Sequence, residues 1–303
     1  MLLDRLPEKH ASRTYLEREL YMEEAGMRGE ERMKHKFEEF YLEEEFLMLW
    51  NVELNIGNWK VQMDGILLTE RAAIIIDSKN ISGKIHFERS TGEFYRINDE
   101  GEKRVLDDPT LQLDKHIHFL NSWFKIHQID LPVDGLVVFT AKQCEFISKS
   151  SEAPICKTYQ MNKCLYRILE NHPQKNVAIT LSDIKELMEY HRYPFKRIPL
   201  CKFYSLNPKS LKTGVYCSNC NNRSMQRVKK SWNCIVCRHR DSQAHVSAMR
   251  EYFSLVDQQV KSLEFREFCQ IESIYTASRL LAALGLASEG GKRNRSYHLR
   301  PYK

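Results

Sequence analysis

The sequence lacks several features that define common functional classes. It has no apolar run near the roughly 20 residues needed to cross a bilayer, and residues 1–24 are charged throughout, unlike a signal peptide. Only 12 of its 303 residues are glycine, and it contains no G-x-x-x-x-G-K-[ST], G-x-G-x-x-G or G-x-S-x-G sequence. These absences argue against a P-loop NTPase, a dinucleotide-dependent enzyme and a serine hydrolase, and they predict a cytoplasmic protein that is not bound to a membrane.

Composition and charge indicate a folded protein with an uneven charge distribution. Hydrophobic content of 42% and aromatic content of 11% are typical of a globular chain long enough for two or three domains. Residues 1–50 carry 8 Lys/Arg against 13 Asp/Glu, a net charge of −5, whereas residues 201–303 carry 18 against 7, a net charge of +11. A basic C-terminal third favours contact with a phosphate backbone, although solubility alone would also explain it.

Two short apolar segments, residues 61–68 and 72–79, have the pattern of neighbouring β-strands joined by a polar turn. The second contains three consecutive isoleucines, which is typical of a strand buried on both faces. It ends in Asp77-Ser78-Lys79, and alternation along a strand places Asp77 and Lys79 on one side. Asp64 lies in the first segment, so we expect a second carboxylate beside Asp77.

These residue types together suit phosphoryl chemistry. Two carboxylates can hold Mg²⁺, which keeps several waters and can accept a phosphate oxygen. The cation polarises the phosphate and lowers the pKa of a bound water. A nearby lysine can position that water or stabilise charge that develops on the phosphoryl oxygens. The alternative is that Asp77 and Lys79 are only the solvated end of a core strand.

Further motifs follow in a characteristic order. Gly29-Glu30-Glu31 is predicted to open a helical stretch, and the two strands come next. Gly83 follows the second strand, and Pro109-Thr110-Leu111-Gln112 then begins a predicted helix that runs to about residue 128. This order resembles the NERD (nuclease-related) domain, a branch of the PD-(D/E)xK or restriction-endonuclease-like superfamily. The resemblance covers roughly residues 26–140.

The resemblance implies an α/β fold of the restriction-endonuclease-like type, with a mixed sheet flanked by helices. It places Glu30, Asp64, Asp77, Lys79 and Gln112 at the family's active-site positions. Asp64 and Asp77 would bind Mg²⁺ or Mn²⁺, and Lys79 would assist catalysis. Glu30 and Gln112 would support the site from the two flanking helices.

The chain departs from the family's pattern at three positions. Met63 stands where the superfamily's nominal proline would be, Asp77 replaces the more usual glutamate, and Ser78 replaces an apolar spacer. The shorter aspartate reaches less far toward a cation than a glutamate would. His116 is predicted to lie on the same helix face as Gln112, where we expect it to be a packing or surface residue.

The strongest single motif is a pair of C-x2-C sequences, Cys217/Cys220 and Cys234/Cys237. Four thiolates in two close pairs match a structural tetrahedral Zn²⁺ site in a zinc ribbon. Four protein ligands leave no open position for a substrate. The alternatives are four unrelated free cysteines or a redox pair.

Basic residues surround an aromatic residue in the ribbon's predicted hairpin, a pattern that suits contact with phosphates and stacking on a base. The predicted nucleic-acid contacts here are Arg227, Lys229, Lys230 and Trp232. Zinc ribbons also bind proteins, so a docking role is the alternative.

The C-terminal segment is predicted to form helices at residues 243–256, 261–269 and 273–286, then a glycine-hinged basic turn and a short strand at 296–299. This order is loosely similar to a winged helix, whose wing would present Lys292, Arg293 and Arg295 to phosphates. The alternative is an ordinary solvated tail.

The sequence therefore predicts four parts: an N-terminal helical extension (residues 1–25), a nuclease-like domain (26–200), a zinc ribbon (210–242) and a basic helical tail (243–303). The predicted function is metal-dependent hydrolysis of phosphodiester bonds in DNA, with the C-terminal parts binding nucleic acid. The alternatives are a non-catalytic nucleic-acid-binding protein on a nuclease scaffold and a protein-interaction adaptor.

Overall fold

A computed structural model of the chain describes residues 1–88, 91–148, 154–173, 179–193, 198–291 and 294–300. In this described part, no helix is both long enough and apolar enough to span a membrane. The α-helices are α1 (Leu2–Arg5), α2 (Arg13–Phe37), α3 (Pro109–Ile126), α4 (Met161–Glu170), α5 (Leu181–Tyr190), α6 (Leu200–Phe203), α7 (Ala244–Leu255), α8 (Ser262–Cys269) and α9 (Ile274–Ala283).

The strands form four sheets. They are β1 (Phe46–Ile56), β2 (Trp59–Thr69), β3 (Ala73–Lys79), β4 (Gly83–Glu88), β5 (Glu93–Ile97), β6 (Lys103–Leu106), β7 (Val133–Phe139), β8 (Cys144–Phe146), β9 (Ile155–Lys157), β10 (Met225–Val228), β11 (Ser231–Cys234), β12 (Arg240–Asp241), β13 (Gln259–Lys261), β14 (Ala287–Glu289) and β15 (Ser296–His298). The chain divides into two compact units, one formed by Leu20–Phe195 and the other by Met1–Glu19 with Lys196–Lys303.

The larger unit is built on a five-stranded mixed sheet in the order β1-β2-β3-β7-β9. Strands β1, β2 and β3 are antiparallel neighbours, whereas β3, β7 and β9 run parallel. Ile74, Ile75 and Ile76 are fully buried at its centre, because apolar side chains on both faces of a central strand need cover on both sides. The predicted α/β fold with a mixed sheet flanked by helices is confirmed.

Two hydrophobic cores cover the two faces of this sheet. Ile75 belongs to a core built with α3, α5 and the second sheet, which has the order β6-β5-β4-β8. Ile74 and Ile76 belong to a core built with α2 and α4. We call these the α3 side and the α2 side of the sheet. The predicted site residues are divided between these two sides.

One predicted boundary is wrong. The motif Gly29-Glu30 lies inside α2, which begins at Arg13, so it does not open a helix. The helix ends at Phe37, where the aromatic rings of Phe37 and Phe40 stack at 5.1 Å. The chain then continues into the aromatic and apolar strand β1, whose composition favours a strand over further helix.

The smaller unit contains the four cysteines and the C-terminal helices. Strands β10-β11-β12 form a small antiparallel sheet that carries the cysteine pairs, and α7, β13, α8, α9, β14 and β15 follow. Three helices with a sheet in the order β13-β15-β14 have the arrangement of a winged helix. Cys217, Cys234 and Trp232 share one hydrophobic core with α7, α8 and α9. The ribbon and the winged-helix-like part are therefore packed together within this unit.

The N-terminal residues are anchored in the same unit by a buried arginine. Arg5 is completely buried, and its guanidinium donates to the carbonyls of Lys212 and Gly214 and pairs with Glu251. Its cation also lies 4.2 Å from the ring centroid of Phe268. A buried charge is tolerated because it is paired and hydrogen-bonded. Arg5 thus ties α1 to the C-terminal core.

Candidate active site and metal centre

Strand β1 is distorted at Asn51, which lies opposite Asp64 in the ladder with β2. The ladder is in register at Trp50–Gly65 and at Val52–Met63, but Asn51 between them has a φ of 53°. Trp50 packs on the α2 side of the sheet, whereas Val52 packs on the α3 side. Trp50 and Val52 are two residues apart but face opposite sides of the sheet, so the alternation of side chains is interrupted at Asn51.

The Asp64 carboxylate is hydrogen-bonded to the residue between Asp77 and Lys79. Its Oδ2 accepts from the backbone N–H of Ser78 at 2.8 Å and from the Ser78 hydroxyl at 2.9 Å. Alternation along β3 puts Ser78 on the face opposite Asp77. The Asp64 carboxylate is thus held at the β3 residue that separates Asp77 from Lys79. The polar spacer Ser78 is what this acid contacts.

Asp77 is 1% exposed and lies on the α3 side. The Nδ1 atom of His116 is 3.2 Å from its Oδ1 and 3.0 Å from its Oδ2. Hydrogen-bond geometry is met only with Oδ1, so Oδ2 is a buried oxygen without a hydrogen bond in the described structure. His116, which we expected to be a packing or surface residue, is a direct partner of the acid. The signal in the sequence was its spacing of four residues from Gln112.

Lys79 and Gln112, two of the predicted site residues, are in direct contact. Lys79 Nζ donates to Gln112 Oε1 at 2.8 Å. Gln112 lies in the first turn of α3, where Asp108 caps the helix by accepting from the N–H of Thr110 at 2.8 Å. The cap and Pro109 fix where α3 begins. One helix therefore supplies a partner to both Lys79 and Asp77.

Gly29 lets α2 approach the ends of β3 and β7 closely. A Cβ at this position would collide with Thr140 Oγ1 and lie 3.0 Å from Asn80 Cβ. Around it, Arg32 donates to the Thr140 carbonyl at 2.9 Å and to Asn80 Oδ1 at 2.8 Å. The glycine of the Gly29-Glu30 motif thus serves packing, and it places Glu30 at the sheet.

Replacing Gly29 with alanine should therefore destabilise the protein, by about 1–3 kcal/mol for overpacking. Gly26→Ala is the matched control, because Gly26 lies in the same helix with nothing within 4 Å of its Cβ position. The control should raise the free energy of unfolding, by up to about 1 kcal/mol from helix propensity. Urea denaturation measures both, and equal effects of the two substitutions would refute the close approach.

Glu30 has a raised pKa. Burial is the larger cause, the negative charge of Asp64 adds to it, and Lys34 opposes it. Glu30 and Asp64 therefore interact electrostatically on the α2 side. Two carboxylates that repel each other form a local negative potential that a cation would relieve.

This shift gives a dependence of stability on pH. Because folding raises the pKa of Glu30 above its ordinary 4.5, ionisation of Glu30 opposes folding. The free energy of unfolding of wild type should fall relative to Glu30→Gln as the pH rises from 4.5 through the folded pKa. Urea midpoints at several pH values test this, with the exposed neighbour Glu31→Gln as control. A pH-independent difference between wild type and Glu30→Gln would contradict it.

A cleft of about 660 Å³ opens beside Lys79 and Gln112. Arg96 on β5, Arg104 on β6 and Lys115 on α3 also line it, together with the acids Asp107 and Asp108. The cleft thus carries four cations against two carboxylates. Sequence reasoning missed Arg96 and Arg104, because no motif marks the hairpin that carries them.

Comparison with known families assigns part of the larger unit to a family. The nuclease-related domain family, NERD, matches residues 25–140. This stretch of the chain is a NERD domain. It includes α2 from its second half, both site strands, the β5–β6 hairpin and α3. The resemblance inferred from the motifs is thus confirmed, whereas no curated protein and no solved structure matches the chain.

The acidic residues of the NERD domain fit a divalent cation in one specific respect. Asp77 Oδ2 is a buried carboxylate oxygen without a hydrogen bond in the described structure, and such an atom gains most from a ligand. Mg²⁺ uses one or two carboxylates and keeps several waters. Asp77 and Asp64 supply that number, although they do not form a group of three or more metal-binding side chains.

The four cysteines do form such a group, the one found among the described residues. Their sulfur atoms all lie within 4.8 Å of one another. Cys217 Sγ is 3.6 Å from Cys237 Sγ, and Cys220 Sγ is 3.6 Å from Cys234 Sγ. A tetrahedral site with Zn–S bonds of about 2.3 Å separates its sulfurs by about 3.8 Å. The cluster is therefore compatible with a zinc ribbon.

Hydrogen bonds prepare one cysteine as a thiolate. Burial opposes ionisation of Cys234, but the N–H groups of Cys237 and Val236 and the Ser224 hydroxyl lower its pKa to about 6. The N–H of Cys237 is 3.3 Å from this sulfur. Stabilisation of a thiolate is what a metal-binding cysteine needs.

Trp232 cannot take the predicted role of a base-stacking residue in this structure, since it is fully buried. Its indole N–H donates to His245 Nδ1 at 3.3 Å, and burial lowers the pKa of His245 to about 4, which keeps that acceptor neutral. Arg227 also has internal partners: it donates to the carbonyls of Lys230 and Ser242. Both residues stabilise the ribbon.

The other predicted nucleic-acid contacts are partly described. Lys229 and Lys230 are exposed at the turn between β10 and β11, and Arg295 is exposed before β15. Lys292 and Arg293 lie outside the described residues.

Proposed function

We propose that this protein is a metal-dependent nuclease that hydrolyses phosphodiester bonds in DNA. The observation that carries the proposal is the position of Lys79. It extends from the same strand as the buried Asp77, is held by Gln112 and lines a cleft with three further cations. A basic cleft suits a phosphate backbone, and its place within a NERD domain supports nuclease chemistry.

In this proposal Asp77 and Asp64 hold Mg²⁺ or Mn²⁺. When bound, the cation polarises the phosphate and supplies a more acidic water. His116 fixes the orientation of the Asp77 carboxylate through Oδ1 and leaves Oδ2 available as a ligand atom. Ser78 holds the Asp64 carboxylate in the same way, through its Oδ2.

Lys79 and Gln112 act on the phosphate side of the site. An ammonium group has three donors, and Gln112 uses one of them. The remaining donors can orient the attacking water or stabilise charge on the phosphoryl oxygens. Glu30 supports the site electrostatically through its interaction with Asp64.

The smaller unit would supply affinity for nucleic acid. Its four cysteines would hold a structural Zn²⁺, which keeps the β10–β11 turn in place. Lys229 and Lys230 are exposed at that turn, and Arg295 is exposed before β15. Exposed cations contact phosphates without sequence preference.

A second candidate is a non-catalytic nucleic-acid-binding protein on the same scaffold. The observation that favours it is that Asp64 already has partners: its Oδ2 accepts two hydrogen bonds from Ser78. A carboxylate oxygen that is already hydrogen-bonded gains less from a cation than one without a partner.

Incubation of wild-type protein with a supercoiled plasmid and with a labelled single-stranded oligonucleotide distinguishes the two candidates. The nuclease predicts nicked or shortened products with Mg²⁺ or Mn²⁺ and none with EDTA. DNA binding without any cleavage in both metals would favour the non-catalytic candidate.

A further inference from the structure

The β5–β6 hairpin carries two arginines on its core-facing side. Phe94 is buried in the core on the α3 side, and Leu106 packs against the same core. Arg96 lies two residues beyond Phe94 on β5, and Arg104 lies two residues before Leu106 on β6, so both share the face of these apolar residues. The outward face instead carries Val105, which is 57% exposed. Arg96 is partly buried and Arg104 is exposed, so the two guanidinium groups lie at the solvent end of this face.

The two arginines are also direct cross-strand neighbours. Arg96 pairs with Arg104 in the antiparallel ladder, and opposite residues in such a pair have Cβ atoms about 4.5–5.5 Å apart. Like charges in these positions destabilise a hairpin. No carboxylate forms an ion pair with either arginine within the described parts of the chain. By contrast, Lys103 on the outward face pairs with Glu93 at 3.1 Å.

The surroundings of the pair add positive charge. Lys79 and Lys115 line the same cleft. Of its two acids, Asp108 already accepts from the N–H and hydroxyl of Thr110. An anion in the cleft would therefore relieve the repulsion between the arginines and meet few competing carboxylates.

We propose that Arg96 and Arg104 bind a backbone phosphate of the nucleic acid, next to the phosphate that Lys79 serves. The guanidinium groups approach from the hairpin, and Lys79 and Lys115 approach from the sheet and from α3. The hairpin thus fixes where the chain is held relative to the site. The phosphate at Lys79 rests on the proposed function. Binding of a neighbouring backbone phosphate by the two arginines does not require hydrolysis.

The salt dependence of binding tests this in the full-length protein. The probe is a fluorescein-labelled 20-base-pair duplex in buffer without Mg²⁺ or Mn²⁺, followed by anisotropy, so that cleavage plays no part and zinc is not removed. For Arg96→Gln/Arg104→Gln, the slope of log affinity against log salt should become shallower by about 2, or about 1 for each lost phosphate contact. Arg104→Gln alone should lose about 1.

The matched control is Lys84→Gln/Lys125→Gln. Lys84 on β4 and Lys125 on α3 are exposed and do not line the cleft, so removing the same two charges should leave the slope unchanged. The urea midpoint of the double arginine variant should equal or exceed that of wild type, because the cross-strand repulsion is removed. An unchanged slope for a folded arginine variant, equal losses in the control, or no binding of duplex by wild type would each overturn the proposal.

Two patterns of results distinguish failure of this inference from failure of the nuclease proposal. If wild type never cuts DNA but its slope depends on the arginines, the backbone site stands and the hydrolytic function falls. If wild type cuts with Mg²⁺ while the arginine variant keeps its slope, the backbone is held elsewhere.

Discussion

Asp77→Asn is expected to lower the rate of Mg²⁺-dependent strand cleavage by about 10³-fold. The substitution keeps the size of the side chain but removes the charge that would hold the cation, which contributes several kcal/mol to stabilising the transition state. Single-turnover cleavage of a labelled duplex by an excess of protein measures the chemical step. DNA affinity in buffer without Mg²⁺ or Mn²⁺ should change little, because the contacts proposed for binding lie elsewhere.

The chain offers a closely matched control for this substitution. Asp134 lies on the adjacent strand β7 and pairs with His172 at 3.1 Å, so the sheet contains a second Asp–His pair. Asp134→Asn should leave cleavage within a few-fold of wild type. Equal activity of Asp77→Asn and wild type, with both variants folded by circular dichroism, would remove Asp77 from the mechanism.

Removal of zinc is expected to unfold the smaller unit. Structural zinc contributes an apparent 10–16 kcal/mol or so to folding in small zinc domains. Cys217 and Cys234 belong to the same hydrophobic core as the helices α7, α8 and α9. Loss of the metal should therefore expose those helices as well as the ribbon. Hydrogen exchange after chelation should rise across residues 244–283 and stay low in strands β2, β3 and β7.

Cys234→Ser should reproduce the effect of chelation and reduce bound zinc from one ion per chain to none. Cys201→Ala is its control, since Cys201 is a buried cysteine of the same unit that lies outside the cluster. The control should keep one zinc. A fully folded smaller unit in a zinc-free protein would show that the cluster is not structural.

The sequence predicts the elements that depend on local pattern. Three consecutive isoleucines identify β3 as a central strand, Pro109 marks the start of α3, and the predicted helix at 273–286 contains α9. The order of the NERD motifs also predicts that Lys79 and Gln112 belong to one site, and the two side chains are in contact. Such features depend on residues close in sequence or on one helix–strand contact, and a single chain carries enough information for them.

Other features depend on contacts that no local pattern encodes. Asn51 takes a left-handed backbone conformation within β1, and Asp64 on β2 finds its partner Ser78 on the neighbouring strand β3. Trp232 is surrounded by basic residues in sequence but is buried by α7, which lies beyond the ribbon. Arg96 and Arg104 come together only through the register of their hairpin. Each depends on a partner whose register the sequence does not reveal.

The most direct test of the central claim compares wild type with Lys79→Ala in single-turnover cleavage of a labelled duplex, with Mg²⁺, with Mn²⁺ and with EDTA. DNA binding by both proteins is measured in parallel. The account predicts metal-dependent cutting by wild type, and a loss of about 10²-fold or more in Lys79→Ala with DNA affinity kept within about tenfold. Absence of cutting by wild type in either metal, with both proteins binding DNA equally well, would contradict it.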